Sequence, residues 1–597
     1  MKTFSWHMKT VLSLFPILVA MFLYGCGGSD TSSAPSTVIS GTAAAGAPVV
    51  GYVSVRDSST NTQPVRTNIP IEANGNYSVD VAGLTAPFAF LASGTVGGRS
   101  VSLYSAATSA DVGGTINITP FTDLIIRNIA ATAVDTFLAT PGGMASLTTA
   151  ELDAQRVTLT NQLAPALTAM GLSSSIDLLR ATFNADSTGL DRFMDVVKVD
   201  TTTPGAVTIT NILDAANTLI IDTTTGTATG TLGTANLEPS GTPLDGILLT
   251  FNTFSGKFAT SLPSAADPDL LDLFSSTFMD DGQSSSAFLT QLTTDNSLVG
   301  LEFTHVVLDS IDAPGTTAQV HFTPVFAGGM NVEGAMGWQM KKDADTGIWQ
   351  ADGNQRIAHV NVAAITEKIT CNPADAACNT NTATSHRTGL HFEINNDAMQ
   401  AIGSAVVTGP SLPAGGVTLT AQVNQTWFNI TTTNPNCDAF GGGQLPVCNN
   451  NWLMTDTEIG AVLPNSVYTV KLYDNSATPV LLGTYTEVVP VAPMLNTALA
   501  AFVFPSISGM VDLAGMGAAT LTPSWSIPAG LSATYVYAYV WQSGTNANQS
   551  VEQNNLPSSS GTASLDFTAP QTGTWSGGGY SISARDQYGR EVTTRYQ

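Results

Sequence analysis

Residues 534–542, TYVYAYVWQ, form a clear strand pattern in this chain. Tyr535, Tyr537, Tyr539 and Trp541 alternate with smaller residues, and successive side chains of a strand point to opposite faces, so the four rings share one face. Such a row of rings can stack against sugars. A sandwich strand also needs one apolar face toward its core, which is the simpler interpretation of the same pattern. The segment therefore predicts a β-sandwich whose aromatic face either fills the core or forms a carbohydrate-binding strip.

The chain around this strand is predicted to be all β from residue 360 onward. The longer segment WSIPAGLSATYVYAYVW at 525–541 resembles fibronectin type III and related folds, which implies a C-terminal sandwich over 493–597. Before it, alternating runs such as 467–474, VYTVKLYD, predict an immunoglobulin-like sandwich over 365–492.

Residues 244–364 have a different pattern, in which helices come first and strands follow. The predicted helices are 244–258, 268–278 and 284–292, and the predicted strands are 298–308, 317–325 and 334–340. Together with Trp349 and the following GNQ, this order resembles the nuclear-transport-factor-like fold, an α+β cone whose pocket in some relatives binds or turns over small apolar molecules. His305, His321 and Glu333 are the candidate pocket residues, because an acid beside a histidine can transfer protons. Structural, hydrogen-bonded histidines are the simpler alternative.

The N-terminal half is predicted to contain a sandwich followed by helices. SGTAAAGAPVVGYVSV and ANGNYSVDV, within 38–118, resemble carboxypeptidase-regulatory-like domains of bacterial surface proteins, which implies a spacer or adhesion module. Thr119 before Pro120 predicts the cap and first turn of a helix, and 119–221 is predicted to be helical. The Thr/Gly-rich stretch within 222–243 indicates a linker or short hairpin.

Three acidic residues in the helical region, Asp186, Asp191 and Asp195, could supply oxygen ligands to calcium. They lack the spacing of a DxDxDG loop, so a solvated helix face is the favoured interpretation.

Five cysteines limit the redox chemistry of the chain. If Cys26 is lipidated, the other four form two close pairs, and we expect disulfides between Cys371 and Cys378 and between Cys437 and Cys448. A metal site is the alternative, but there is no CxxC and no nearby histidine, so no metal or cofactor is predicted.

The beginning of the chain resembles a bacterial lipoprotein signal. Residues 1–25 contain an apolar run too short to span a bilayer, and it ends at LYGC with Cys26 as the acylated residue; translation starts at Met1 or Met8. Residues 26–37 then form a polar tether. Gly27 follows the lipidated cysteine where an inner-membrane retention signal would place Asp, which favours the outer membrane or cell surface of a Gram-negative bacterium.

The net charge and the motifs that the sequence lacks reduce the number of possible functions. The chain has 20 Lys+Arg against 45 Asp+Glu, a formal net charge of -25, which repels nucleic acid. No HExxH, GxSxG, GxxxxGK[ST] or CxxCH motif is present. We therefore predict a multidomain, mainly β lipoprotein, non-catalytic, that serves binding, adhesion or spacing toward polysaccharide or surface protein. The alternatives are a small-ligand or weakly enzymatic module at 244–364 and carbohydrate binding by the C-terminal sandwich.

Overall fold

The computed structural model describes most of the chain after its first segment. The described residues are 36–59, 63–203, 205–326, 330–331, 336–375, 385–396, 400–422, 426–437, 450–545, 547–554, 556, 560–586 and 589–597. Cys26, the predicted signal and nearly all of the tether lie outside them, as do Glu333, Cys378 and Cys448. Within the described residues the chain is a multidomain, mainly β protein, as the alternating sequence patterns predict.

The N-terminal region consists of two small sheets, a group of helices and a strand meander. Its first strands are β1 (Val38–Thr42), β2 (Val50–Asp57), β3 (Arg66–Pro70), β4 (Asn76–Asp80), β5 (Phe88–Val96) and β6 (Arg99–Ala107). Strands β1 and β4 pair with each other, and the other four form a sheet in the order β3-β2-β5-β6. The helices are α1 (Pro120–Ala130), α2 (Val134–Ala139), α3 (Thr149–Ala169) and α4 (Gly189–Val196).

Helix α1 begins where the sequence predicts. The side chain of Thr119 accepts a hydrogen bond from the backbone N–H of Thr122, and Pro120 occupies the first turn, where its missing N–H costs nothing. The prediction of helix up to residue 221 was wrong beyond α4. The chain there forms an antiparallel meander of β7 (Val197–Asp200), β8 (Ala206–Asn211), β9 (Thr218–Asp222) and β10 (Ala228–Gly230). Alternating residues such as Val207 and Ile209 bury one face of this meander.

The middle region places helices against one antiparallel sheet. Its helices are α5 (Pro243–Phe258), α6 (Pro268–Leu271) and α7 (Ser285–Leu292). Its strands are β11 (Met279–Asp280), β12 (Gln283–Ser284), β13 (Glu302–Ile311), β14 (Thr317–Phe326), β15 (Met330–Asn331), β16 (Met336–Lys342) and β17 (Trp349–Gly353). The main sheet has the order β13-β14-β16-β17, and its register shifts between Thr304 and Val307. The helix predicted over 268–278 is shorter than expected, because only its first turn, α6, is helical.

The C-terminal half contains strands with two short helices. The elements of the first module are β18 (His359–Thr370), β19 (Ser385–Asn395), β20 (Ile402–Thr408), β21 (Val417–Ala421), β22 (Phe428–Ile430), β23 (Asn451–Leu453), α8 (Asp456–Gly460), β24 (Ser466–Asp474), β25 (Leu481–Val489) and α9 (Asn496–Leu499). Those of the second are β26 (Ser506–Ser508), β27 (Ala519–Leu521), β28 (Ser524–Ser526), β29 (Leu531–Trp541), β30 (Asn548–Asn554), β31 (Ser560–Thr562), β32 (Leu565–Phe567), β33 (Gly577–Asp586) and β34 (Glu591–Tyr596).

One sheet joins these two modules. Its seven strands have the order β23-β19-β18-β34-β33-β29-β30, so the sequence-predicted boundary at 492/493 is bridged by paired strands. The junction is β18 with β34, which pair in parallel from Ile365 with Glu591 to Thr370 with Tyr596. Continuous backbone hydrogen bonding across this junction makes the two modules one structural body.

Residues 37–597 form one compact unit that contains four large apolar cores in its described part. The first core combines the N-terminal strands with α1, α3 and α4, so the predicted sandwich and helical region share one interior. The second lies between α5 and the middle sheet, the third inside the module that begins at β18, and the fourth inside the C-terminal sandwich.

Candidate binding site

The aromatic strip on β29 faces away from the core of the C-terminal sandwich. Val536, Ala538 and Val540 are completely buried in that core, and they alternate with the aromatic residues. Tyr535, Tyr537 and Tyr539 are half-buried on the other face, and Trp541 is exposed, with 44% of its surface accessible. The rings of Tyr537 and Tyr539 stack at an interplanar angle of 29°, with centroids 6.0 Å apart. The simpler interpretation of the sequence, in which this face fills the core, is therefore wrong.

Glycines on the neighbouring strand set the position of two of these rings. Gly577 pairs with Trp541 and Gly579 pairs with Tyr539 across β29 and β33. A Cβ atom on Gly577 would lie 3.1 Å from Trp541 Cζ2, and one on Gly579 would lie 2.9 Å from Tyr539 Cε1. Both rings thus lie against bare backbone, which leaves their outer faces turned away from the sheet.

A polar cavity opens at the Trp541 end of the strip. Its volume is about 330 Å³. Tyr539 and Trp541 line it together with Asn372, Asp375, Asp512 and Ser576. Flat aromatic surface beside carboxylate and hydroxyl groups suits a ligand that has both an apolar face and hydroxyl groups.

An ion pair lies beside the strip on the same face of the sheet, because Arg595 is in register with Ser581 and Ser581 is in register with Tyr537. Arg595 on β34 pairs with the buried carboxylate of Glu367 on β18, across the junction between the two modules. Glu367 raises the pKa of Arg595 against the opposing effect of burial, so the guanidinium stays charged. Burial also raises the pKa of Tyr535 and Tyr539. The strip is therefore neutral at pH 7 and lies beside a compensated pair.

The interior of the middle region is filled by its own side chains. Phe251, Phe303, Phe322 and Trp338 form a continuous aromatic cluster, with ring centroids 4.8 to 6.0 Å apart. All four side chains are buried. These rings fill the space between α5 and the sheet, where the resemblance led us to expect a pocket.

The two histidines proposed for that pocket lie outside this core, and His321 instead lines a cleft that also contains Asp281 and His359. Ala318, Val320 and Phe322 face the core, so His321 lies on the opposite side of β14, where its Nδ1 is 2.8 Å from Asp309 Oδ1. Asp309 also pairs with Arg99 at 2.8 Å. His305 lies in the irregular stretch of β13 with a φ of 50°. Burial lowers the pKa of both histidines, and Glu333 lies outside the described residues.

The acidic residues of α4 are not a solvated face, contrary to the favoured interpretation. Asp191 and Asp195 are buried, and only Asp186 is exposed. Burial raises the pKa of Asp191 to about 6, and it also raises that of Asp195. In the described ranges, no group of three or more His, Cys, Asp or Glu side chains is arranged to hold a metal ion.

The predicted cysteine pairing stays a prediction. Cys371 and Cys437 lie among the described residues, but Cys378 and Cys448 do not. Across the described part of the chain, no helix is both long and apolar enough to cross a membrane.

A cluster that the sequence did not predict lies between the middle region and β18. His359 Nδ1 donates to Asp281 Oδ2 at 2.9 Å, and Nε2 lies 3.7 Å from Glu393 Oε2. Burial opposes the charged imidazolium, but the two carboxylates outweigh it and raise the pKa of His359 well above its ordinary value. The pairing likewise lowers the pKa of Glu393 to about 2, against burial. His359 is therefore a cation that connects two modules.

The position of Asp281 in this cluster depends on a tight turn. Asp281 and Gly282 both have positive φ, 49° and 82°, and they connect β11 to β12. This is the geometry of a two-residue hairpin turn, for which Asp-Gly is a preferred sequence. The Asp-Gly pair at 281–282 was the sequence signal that could have located this turn.

Comparisons with known proteins do not place the chain in a family. No family model matches it, and no curated protein matches it. Among solved structures, a transglutaminase of red sea bream is 8% identical over 53% of this chain and 44% of that chain, with a TM-score of 0.12. This chain thus spans less than half of the transglutaminase. A tetra-tandem repeat in the extending region of a large adhesion protein is 9% identical over 94% and 97%, also with a TM-score of 0.12. Similarity at this level defines neither a fold nor a function.

Proposed function

We propose that this chain is a non-catalytic protein, lipid-anchored at the outer membrane or cell surface, that binds extracellular polysaccharide with the aromatic strip of β29. The observation that supports this proposal is the outward orientation of Tyr535, Tyr537, Tyr539 and Trp541, beside a polar cavity. Exposed aromatic rings that are held rigidly by a sheet bury apolar surface only when a partner covers them.

The net negative charge of the protein indicates which polysaccharides it can bind. A chain with a net charge of -25 repels polyanions at low ionic strength, so the expected partner is a neutral or amino-containing glycan. The proposed lipid on Cys26 would hold the binding face near the cell envelope, and the N-terminal modules would act as the spacer.

A binding assay with two matched tryptophan variants tests the proposal. Trp541→Ala removes the exposed ring of the strip, whereas Trp427→Ala removes a similarly exposed ring, 48% accessible, that lies in an isolated β-bridge with Asn395. In affinity electrophoresis through neutral polysaccharide gels, we expect Trp541→Ala to weaken binding about three- to tenfold, the effect of one lost aromatic contact. Equal retardation of both variants and the wild type would contradict the proposal.

The anchoring part of the proposal has its own experiment. A fatty-acid probe should label the wild-type chain in cells but not Cys26→Ala, and protease added to intact cells should cleave a surface-exposed chain. Label that persists in Cys26→Ala would remove the lipid anchor from the proposal without affecting the binding face.

A further inference from the structure

A second and larger cleft lies where three parts of the chain meet. It has a volume of about 580 Å³, within the range of small-molecule sites. The middle region contributes Asp280 and Asp281, strands β18 and β19 contribute Asn361 and Glu393, and β25 contributes Glu487. Arginines from other parts of the chain also line the cleft. The chain has only 20 Lys+Arg in total, and four of them line this cleft: Arg99, Arg356, Arg585 and Arg590.

Most charged side chains around the cleft are compensated. Arg585 helps to lower the pKa of Glu393, and Asp280 accepts hydrogen bonds from Trp338 Nε1 and the backbone N–H of Asn354. Arg356 pairs with Glu487 at 2.5 Å, Arg590 pairs with Asp586 at 2.7 Å, and Arg99 is held by Asp309. His359 lies between Asp281 and Glu393, as described above. An anionic ligand would have to take an arginine from its carboxylate, and a cationic ligand would have to take a carboxylate from its partner. Because breaking such a pair leaves an uncompensated charge, the cleft disfavours both kinds of ligand.

Neutral polar groups remain available for a ligand. Asn361 and Gln283 line the cleft, and in the described residues neither side chain has a hydrogen-bond partner. Phe288 contributes a half-buried ring to the same wall. Each side-chain amide has both a donor and an acceptor, so it is complementary to a hydroxyl group, which also donates and accepts.

We propose that this cleft binds a small, neutral, polyhydroxylated molecule, a mono- or disaccharide. Its hydroxyl groups would bond to the amides of Asn361 and Gln283 and to the outer oxygens and nitrogens of the ion pairs without separating them. The apolar face of a sugar ring would lie against Phe288. This site is separate from the aromatic strip on β29, and it does not depend on the function proposed for that strip.

Calorimetric titration of the purified full chain tests this inference. The panel consists of neutral mono- and disaccharides, a dicarboxylate, a diamine and glycine, each up to millimolar concentration. We expect at least one neutral saccharide to bind with one site per chain, and Asn361→Ala to weaken that binding about five- to tenfold, as expected for one lost hydrogen bond. Thermal unfolding of Asn361→Ala in the absence of ligand checks that the variant is folded.

Two controls separate this site from the aromatic strip. Trp541→Ala should leave the titration unchanged, and Asn361→Ala should leave polysaccharide gel retardation unchanged. If Asn361→Ala is unstable, Gln283→Ala provides the second variant. The inference is overturned if no neutral saccharide binds, if a charged compound binds instead, or if neither amide variant weakens the binding of a saccharide.

Discussion

The middle region and the C-terminal module both concentrate aromatic side chains, but in opposite environments. In the middle region Phe322 and Trp338 are buried among other rings under α5, with centroids 5.1 Å apart. On β29 the rings occupy the face that the core does not use, and Trp541 is exposed to solvent. The same residue types thus fill an interior in one module and form an outer surface in the other.

This difference shows that the residues alternating with the aromatic side chains along a strand decide whether the rings fill the core or face outward. Strand β14 has small or polar residues on its outer side, so its aromatic and aliphatic residues must fill the core. Strand β29 has Val536, Ala538 and Val540 for the core, which frees the larger rings for the other face. A row of aromatic residues should therefore be interpreted together with the residues that alternate with it.

The largest expected effect is the loss of a ring from the filled interior. Phe322→Ala removes a fully buried side chain that contacts Phe251, Phe303 and Trp338, so we expect the free energy of unfolding to fall by about 3–5 kcal/mol. Urea unfolding followed by tryptophan fluorescence measures this change. A loss below about 1 kcal/mol would show that the interior is loosely packed. It would contradict the contrast between a filled interior and an outward-facing strip.

Breaking the ion pair beside the strip should cost less stability than losing a buried ring. Arg595→Met leaves the buried carboxylate of Glu367 without its cation, but Arg595 is partly exposed, so we expect a loss of about 2–3 kcal/mol. Arg66→Met, at an exposed position, should change the same quantity by less than about 0.5 kcal/mol. Equal effects of the two variants would mean that the module junction does not depend on this pair.

The contact between the middle region and β18 should depend on pH through His359. The folded-state pKa of His359 lies above its unfolded value of about 6.5, so its stabilising effect is complete below that value and is lost as pH rises through the folded pKa. Glu393, whose pKa is about 2, is ionised throughout this window, whereas Asp280, whose pKa burial raises to about 6, is still partly protonated at its lower end in both proteins.

Thermal unfolding measured from pH 6.5 to 9.5 tests this dependence. The wild type should lose stability with rising pH more steeply than His359→Gln, which retains a polar side chain but does not titrate. Parallel curves for the two proteins would show that His359 is not the group responsible.

The smallest expected effect on stability belongs to the strip itself. Trp541→Ala removes an exposed ring that rests on the backbone of Gly577, so the free energy of unfolding should change by less than about 1 kcal/mol. Chemical unfolding of Trp541→Ala and Phe322→Ala under the same conditions compares the two losses of stability directly. A loss as large as that of Phe322→Ala would assign Trp541 to the core and would remove the basis for a binding face.

Local sequence signals predicted many elements but not their partners. The Thr119 cap, helix α5 and strands such as β14 begin or end within a residue or two of the predicted positions. The parallel pairing of β18 with β34 was not predictable, because no local pattern specifies which distant strand will lie alongside. The meander after α4 was also missed. Its first strand, β7, follows directly on the helix, so no local signal marked the end of the helical region.

The candidate sites were predictable to different degrees. Alternation placed four aromatic residues on one face of β29, but only the structure shows that this face is the outer one. The cluster of His359, Asp281 and Glu393 combines residues from three separate segments, so spacing along the chain gave no indication of it. His305 and His321 were placed correctly on strands, but the shift of register in β13 and the orientation of β14 keep them from the interior.

The pairing of β18 with β34 also affects the order of folding. Until Glu591–Tyr596 has been synthesised, the edge of β18 that faces β34 has no strand to pair with, and such an open edge can pair with other chains. Contacts between residues so far apart in sequence form slowly. Assembly of this sheet should therefore be the late step in folding, and a chaperone that covers β18 until then would protect the chain from aggregation.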